Sequence, residues 1–134
     1  MPEQTTLPTR NQIPKEQTWD LESVFATPAD WDAACKQLGE LLPGLAAYQG
    51  RLKESPQVLL EFIQKMETAG TLMGKIMTYA SNAYAVDTNN QESAARAGQA
   101  RSIGARFGAS VAFLDPELVA IGFPALRKWM KETS

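Results

Sequence analysis

The sequence predicts an all-α protein, an antiparallel helical bundle built on one long helical hairpin. Apolar residues recur at helical spacing through most of the 134 residues, no segment alternates as a strand does, and capping residues followed by proline mark the helix starts. The hairpin spans about residues 56–86 and 90–114, and a kinked helix precedes it at about residues 28–49. Residues 1–17, which contain three prolines among polar residues, form an extended arm.

Two apolar stripes and a clear helix start indicate the hairpin. Ser55 followed by Pro56 is an N-cap with a proline in the first helical position, and no further proline occurs before Pro116. The chain folds back through residues 86–89. The stripes consist of Leu59, Phe62, Ile63, Met66, Met73, Ile76, Met77, Ala80 and Tyr84 in the first helix, and of Ile103, Phe107, Val111 and Leu114 in the second.

Each helix of the hairpin carries a Gly-x-x-x-Gly pair, Gly70 with Gly74 and Gly104 with Gly108. In an antiparallel hairpin that folds near residue 89, the two pairs lie at the same level. A glycine inside a helix costs about 1 kcal/mol relative to alanine, so four of them indicate close approach of two backbones. We therefore expect a structural helix–helix contact at these glycines.

The kinked helix has a well-defined start. Thr27 is its N-cap, Pro28 takes the first position and Asp30 completes the cap. The apolar stripe keeps its phase across Pro43, so we expect a kink near Gly39 and no break. The stripe consists of Trp31, Cys35, Leu38, Leu42 and Leu45.

Other element ends follow from the same signals. Gly50 is expected to end the kinked helix in the left-handed conformation. Asp115 is expected to cap a short helix that stops at Gly122, before a final helix begins at Phe123. The apolar face of that last helix is barely two turns long at the end of the sequence, so we expect residues 18–134 to be a helical lobe of a larger structure.

Near the arm, Trp19 is expected to dock this segment on the domain, and Asp20 is expected to cap a short helix.

Composition excludes several kinds of site. The chain has 13 basic and 15 acidic residues, a net charge of −2, so we expect neither nucleic acid nor a membrane as its partner. It has no histidine, which excludes imidazole-based nucleophilic catalysis and histidine zinc ligands within this chain. The single cysteine and the polar start, without a signal-peptide core, favour the cytoplasm. We expect no catalytic, metal-binding or cofactor-binding residue.

Four groups of residues could carry chemistry, and each has a structural interpretation that we favour. Cys35 lies on an apolar stripe without a nearby base, which favours packing. The carboxylates of Asp20, Glu22, Asp30 and Asp32 cluster in sequence, but capping already accounts for two of them. Arginines spaced five apart cannot form one stripe, so solvation or separate ion pairs explain them, with Glu92 a candidate partner for the first. These arginines are Arg96, Arg101 and Arg106. The last group, near the hairpin turn, could face a ligand but is expected to be core: Tyr79, Asn82 and Tyr84.

Four segments, taken in order, resemble the amino-terminal region of oligoendopeptidase F, a family of thimet-oligopeptidase-like zinc metallopeptidases. The first is Trp19-Asp20-Leu21 with Phe25 and Trp31, and the second is Leu-Leu-Pro-Gly-Leu-Ala-Ala-Tyr-Gln-Gly-Arg-Leu at residues 41–52. The third is Tyr-Ala-Ser at residues 79–81, and the fourth is Phe-Leu-Asp-Pro-Glu-Leu at residues 113–118. The resemblance runs from about residue 13 to the end of the sequence.

The resemblance implies a role without catalytic residues. Members of the family are longer helical enzymes that cleave short peptides in a deep channel, with zinc held by a His-Glu-x-x-His helix and a further glutamate in their carboxy-terminal part. No such residue carries over to a chain without histidine. What carries over is a place in the amino-terminal lobe that forms one channel wall, with the remainder of the peptidase as partner.

An alternative interpretation is a stand-alone helical interaction module without enzymatic activity. Exposed apolar surface on the last helix or on the hairpin would then form a docking face or a homodimer contact. The sequence leaves peptide specificity, oligomeric state and the channel-lining face open.

Overall fold

The computed structural model describes residues 6–132; the ends of the sequence, including part of the predicted arm, lie outside this range. Within it the chain forms five α-helices and no strand, which confirms the all-α class. The helices are α1, Pro28–Ala46, α2, Pro56–Val86, α3, Gln91–Val111, α4, Leu114–Ile121, and α5, Phe123–Glu132. The first three pack on one another as a bundle.

The start of α1 is the predicted capping box. The backbone N–H of Asp30 donates to Thr27 Oγ1 at 3.2 Å, and the backbone N–H of Thr27 donates to Asp30 Oδ2 at 3.1 Å. Pro43 lies inside the helix, which continues past it to Ala46. The kink near Gly39 stays a prediction.

The end of α1 differs from the prediction. The helix stops at Ala46, three residues before the predicted end, and residues 47–53 form successive turns. In these turns the N–H of Tyr48 donates to the carbonyl oxygen of Leu45, at the three-residue spacing of a tightened helix end. Gly50 has φ +81°, so its left-handed conformation is confirmed, although it belongs to the turns and not to the helix end.

The first helix of the hairpin has the predicted cap, and the second has a cap at Asn90 that was not predicted. Ser55 Oγ accepts a hydrogen bond from the N–H of Val58 at 3.2 Å, and Asn90 Oδ1 accepts one from the N–H of Ser93 at 3.0 Å. Because these caps satisfy free N–H groups at both helix starts, they fix where α2 and α3 begin on either side of the turn.

The end of the hairpin differs from the prediction, which placed it at about residue 114. Helix α3 ends at Val111, and Leu114 is the first residue of α4. Asp115 therefore lies within the first turn of α4, where its charge faces the positive end of the helix, and the N-cap position belongs to Phe113. Gly122 has φ +84°, and the chain bends there by 96° into α5.

The core lies between α1, α2 and α3. Trp31, Leu38, Phe62 and Ile76 are fully buried, and the indole Nε1 of Trp31 donates to the carbonyl oxygen of Ile76 at 3.0 Å. Phe107 and Val111 of the predicted apolar stripe are partly buried against the core, and the buried residues of the third helix are mostly small. They are Ser93, Ala97, Ala100 and Ile103.

The segment before α1 contains three short 3₁₀ turns. Two of them, Arg10–Gln12 and Lys15–Gln17, lie where an extended arm was expected, and Leu21–Ser23 lies where a short helix was expected. Trp19 is 64% exposed, so the prediction that it docks the arm is wrong. Phe25 contacts the core instead, its ring meeting that of Tyr79 edge to face at 5.6 Å.

The side chain of Asp20 does not form the N-cap that was expected of it. No side-chain cap forms at the 3₁₀ turn that follows, and the residue contributes its carbonyl oxygen, which accepts from Ser23 Oγ at 2.7 Å.

Candidate functional site

The four glycines predicted to join the hairpin helices do not make a close backbone contact. A Cβ atom placed on Gly74 or Gly108 would meet no neighbouring atom within 4 Å, and both residues are exposed. A Cβ atom on Gly70 would lie 3.8 Å from Phe107 Cζ, and one on Gly104 would lie 3.5 Å from the terminal methyl carbon of a methionine, Met73. The prediction that the two glycine pairs lie at the same level along the antiparallel hairpin was therefore correct, but side chains fill the space between the helices.

A glutamate that the sequence did not single out links two distant parts of the chain. Glu117, in the first turn of α4, accepts hydrogen bonds from the backbone N–H of Gly50 at 2.7 Å and of Leu52 at 3.2 Å. Both donors lie in the turns between α1 and α2. No local pattern could reveal this contact, because its partners are separated by 65 and 67 residues. We call this arrangement the Glu117 clasp.

The clasp joins two of the segments on which the family resemblance rests. Gly50 and Leu52 end the segment at residues 41–52, and Glu117 lies in the segment at residues 113–118. Hydrogen bonds to a carboxylate are stronger than those between neutral groups, so the clasp fixes α4 against the α1–α2 turns.

Cys35 is buried, and it packs in the core as predicted. Burial, and to a smaller extent the negative charge of Asp32, raise the pKa of its thiol to about 11. A thiol with this pKa is protonated at neutral pH, so it is a poor nucleophile.

The acidic residues near the amino-terminal side do not form a common site. Asp30 is occupied by the α1 cap, and Glu22 forms an ion pair with Lys15 at 3.3 Å. A backbone hydrogen bond and then Lys15 lower the pKa of Glu22. Among residues 6–132, no group of three or more histidine, cysteine, aspartate or glutamate side chains could hold a metal ion.

Arg96 and Tyr79 have the structural roles that we favoured, whereas Asn82 and Tyr84 are half-buried and do not belong to the core as expected. Arg96 pairs with Glu92 at 3.6 Å. Tyr79 is buried and its ring stacks on that of Trp31, with centroids 6.5 Å apart. Neither interaction leaves a group directed at a ligand.

One exposed apolar groove lies outside the bundle core, between the start of α2 and the last two helices. Leu60 is 47% exposed and Ile63 38% exposed, so both remain accessible in the groove. We call it the α5 groove, and it is lined by Pro56, Leu59, Leu60, Ile63, Leu118, Leu126, Trp129 and Met130.

Among the described residues, no single helix has the length and apolar character needed to cross a membrane. Residues 91–121 and 123–132 meet that test only as a pair, bent by 96°, and only by length and composition.

The chain matches several curated peptidases over most of its length. It is 28% identical to Oligopeptidase PepF of Bacillus subtilis over 126 residues, which are 94% of this chain and 19% of that protein. It is 30% identical to the plasmid-encoded Oligoendopeptidase F of Lactococcus lactis subsp. cremoris over 124 residues, which are 92% of this chain and 21% of that protein. Group B oligopeptidase PepB of Streptococcus agalactiae is 28% identical over 112 residues, 84% of this chain and 19% of that protein.

No family model matches the chain, and no solved structure matches it. The fold and these similarities define a class: the chain is a helical segment that is similar in sequence to part of several peptidases. More narrowly, the chain is similar to oligoendopeptidase F proteins, which confirms the resemblance to one region of that family. It spans about a fifth of the length of the relatives that it matches.

Proposed function

We propose that this chain is the amino-terminal helical lobe of a zinc-dependent oligoendopeptidase, a hydrolase of short peptides, and that it acts in the cytoplasm. The lobe shapes the substrate channel, and the catalytic and zinc-binding residues belong to the remainder of the peptidase. The observation that carries the proposal is the 28–30% identity to named oligopeptidases over more than four fifths of the chain.

The interior chemistry of the lobe supports an architectural role. Its cysteine is protonated and buried, Asp30 caps a helix, Glu22 forms an ion pair, and Tyr48 and Tyr79 pack in the core. The Glu117 clasp gives the lobe a fixed shape by holding α4 to the turns between α1 and α2. A rigid wall needs such contacts more than it needs reactive groups.

A chimeric enzyme tests the proposal. The matched 124 residues of the Lactococcus enzyme are replaced by this chain, and hydrolysis of quenched fluorescent peptides is measured for short and long substrates. We expect zinc binding and cleavage of short peptides. A control that lacks the segment altogether should lose activity or the discrimination between short and long peptides.

The outcome that would contradict the proposal is a folded, zinc-containing chimera without peptidase activity. The isolated chain supplies a second measurement. We expect it neither to retain zinc after dialysis nor to cleave the same peptides, because the described residues contain no metal-binding group.

The alternative, a stand-alone interaction module, is favoured only by the exposed α5 groove. Light scattering of the purified chain distinguishes the two. A stable oligomer that forms through this groove would support the alternative, and a monomer would support the lobe.

A further inference from the structure

A pocket that the sequence did not indicate lies between the segment before α1 and the end of α2. Its volume is about 570 Å³, within the range of pockets that hold small ligands. The wall combines apolar side chains with one basic and one acidic side chain. We call it the Arg10 pocket, and its wall includes Pro8, Arg10, Ile13, Glu16, Trp19 and Val86.

The guanidinium group of Arg10 is incompletely paired. One terminal nitrogen, Nη2, donates to the carbonyl oxygen of Trp19 at 3.0 Å. The other, Nη1, is buried and has no hydrogen-bond partner among residues 6–132. Within the same range no carboxylate forms an ion pair with Arg10. A buried charged donor without an acceptor costs free energy, so this group gains by pairing with an anion.

Local contacts hold Arg10 beside accessible apolar surface. Arg10 begins the 3₁₀ turn Arg10–Gln12, and the N–H of Thr9 donates to Gln12 Oε1 at 2.8 Å. The bond from Nη2 ties this turn to Trp19, which is 64% exposed, while Val86 is 37% exposed. A charged group that is already positioned next to open apolar surface loses little freedom when a ligand binds.

We propose that the Arg10 pocket binds a small ligand that carries a single carboxylate next to an apolar side chain. The positive charge is delocalised over the whole guanidinium group, so a carboxylate at the edge that faces the pocket compensates it although Nη1 itself is covered. The apolar side chain of the ligand lies against Trp19 and Val86. Free apolar amino acids and the carboxy-terminal residue of a short peptide share this chemistry. The inference goes beyond the proposed function and does not depend on it.

The acidic side chain in the wall limits the charge of the ligand. Glu16 lines the same pocket and forms no ion pair with any of residues 6–132. Its negative charge opposes a ligand with two or more negative charges, such as a phosphate. One carboxylate therefore fits the pocket better than a phosphate does.

The indole N–H signals of the full chain test the proposal. The chain has three tryptophans, and the variants Trp19→Phe and Trp129→Phe assign their signals in a nitrogen–proton correlation spectrum. The probes are N-acetyl-leucine and N-acetyl-leucinamide, which differ only in the carboxylate. We expect N-acetyl-leucine to shift the Trp19 signal with a Kd of about 1 mM, and the amide to bind at least about tenfold more weakly. The signals of buried Trp31 and of Trp129 in the α5 groove should not move.

Two variants locate the binding. Arg10→Gln removes the positive charge and should weaken N-acetyl-leucine by about tenfold or more. Because this change also alters the bond to Trp19, Val86→Glu is a second variant, which places a negative charge in the wall from α2 and should have the same effect. Arg106→Gln is the matched control, because Arg106 is exposed and lines other clefts, on α1 and α3. It should change the affinity by less than about twofold.

A third probe distinguishes the two sources of the ligand. Leucine differs from N-acetyl-leucine by its free ammonium group, which Glu16 would attract. Tighter binding of leucine would assign the pocket to free amino acids. Tighter binding of N-acetyl-leucine would assign it to the carboxy terminus of a peptide.

Other outcomes would overturn the proposal. These are equal binding of N-acetyl-leucine and its amide, no shift of the Trp19 signal up to about 20 mM ligand, equal weakening by Arg106→Gln, and binding of inorganic phosphate as tight as that of N-acetyl-leucine. The chimera separates the pocket from the proposed function. An active chimera without N-acetyl-leucine binding would overturn only the pocket, and binding together with an inactive chimera would overturn only the proposed function.

Discussion

At the scale of single residues, Glu117 is the side chain whose removal should have the clearest effect. Glu117→Ala leaves the N–H groups of Gly50 and Leu52 without their carboxylate acceptor. Since hydrogen bonds to a charged group contribute about 1.5–3 kcal/mol, we expect the free energy of unfolding to fall by about 2 kcal/mol. Urea denaturation followed by circular dichroism measures this loss.

Asp115→Ala is the control for Glu117. Asp115 lies exposed in the same first turn of α4, so its removal accounts for the helix-dipole contribution, about 0.3–1 kcal/mol. Equal losses for the two variants would show that the hydrogen bonds of the clasp contribute nothing beyond the dipole.

The raised pKa of Cys35 predicts that the stability of the protein depends on pH. Its folded pKa of about 11 lies above the unfolded value of 9.0, so the unfolded chain loses this proton first as the pH rises. The contribution of the protonated thiol is therefore complete below pH 9.0 and is lost between pH 9.0 and about 11. The difference in unfolding free energy between the natural chain and Cys35→Ala should narrow across this range.

Thiol accessibility gives an independent measurement for Cys35. At about pH 8 a disulfide reagent should react slowly with the folded chain and rapidly with the chain in denaturant, because the buried thiol is protonated. Rapid reaction with the folded chain would contradict both the burial and the raised pKa.

The residue scale also shows where sequence reasoning succeeds. Thr27 and Asp30 form the predicted box because both partners lie within one helical turn. The partners of Glu117 are more than sixty residues away, so their contact depends on how α4 meets the α1–α2 turns. The exposure of Trp19 could not be predicted for the same reason, because it depends on which residues the folded arm contacts.

At the scale of helices, the glycines give the most direct prediction. Gly74 and Gly108 lie inside helices, and a Cβ atom would meet no neighbouring atom within 4 Å at either position. Gly74→Ala and Gly108→Ala should each stabilise the chain by about 0.5–1 kcal/mol, because alanine loses less conformational freedom in a helix. Thermal unfolding of the single variants and of the double variant measures the gain.

Gly50→Ala is the contrasting variant for the glycines. Its φ of +81° is unfavourable for a residue with a side chain, so we expect destabilisation by about 1 kcal/mol. Destabilisation by Gly74→Ala or Gly108→Ala would instead support the close backbone contact that was expected from the sequence.

Helix type and order were predictable because the apolar stripes and caps are local patterns. The rotation of each helix about its own axis was not, and this rotation decides whether glycines or methionines meet. In the hairpin it turns Gly74 and Gly108 outward and brings Met73 toward α3. The early end of α1 likewise depends on a tight turn that a stripe of Leu42 and Leu45 does not encode.

At the scale of the whole molecule, the sequence was sufficient to predict an all-α bundle and to recognise the family resemblance. The α5 groove could be found only from the coordinates. The groove forms from residues of α2, α4 and α5, which are brought together only after the chain bends by 96° at Gly122. A one-dimensional pattern cannot represent such a bend, although it does mark the glycine that permits it.

The turn between α2 and α3 has a consequence for a broken chain. Thr88 and Asn89 are exposed, so a protease can cut there without entering the core. The two pieces would still share the buried surface of Ala100 and Ile103 with the first two helices, and Glu117 would still bind backbone groups of the other piece. We expect both pieces to elute together from a sizing column and to separate only in denaturant; elution as two free fragments would show that the intact connection, and not the interface, holds the halves together.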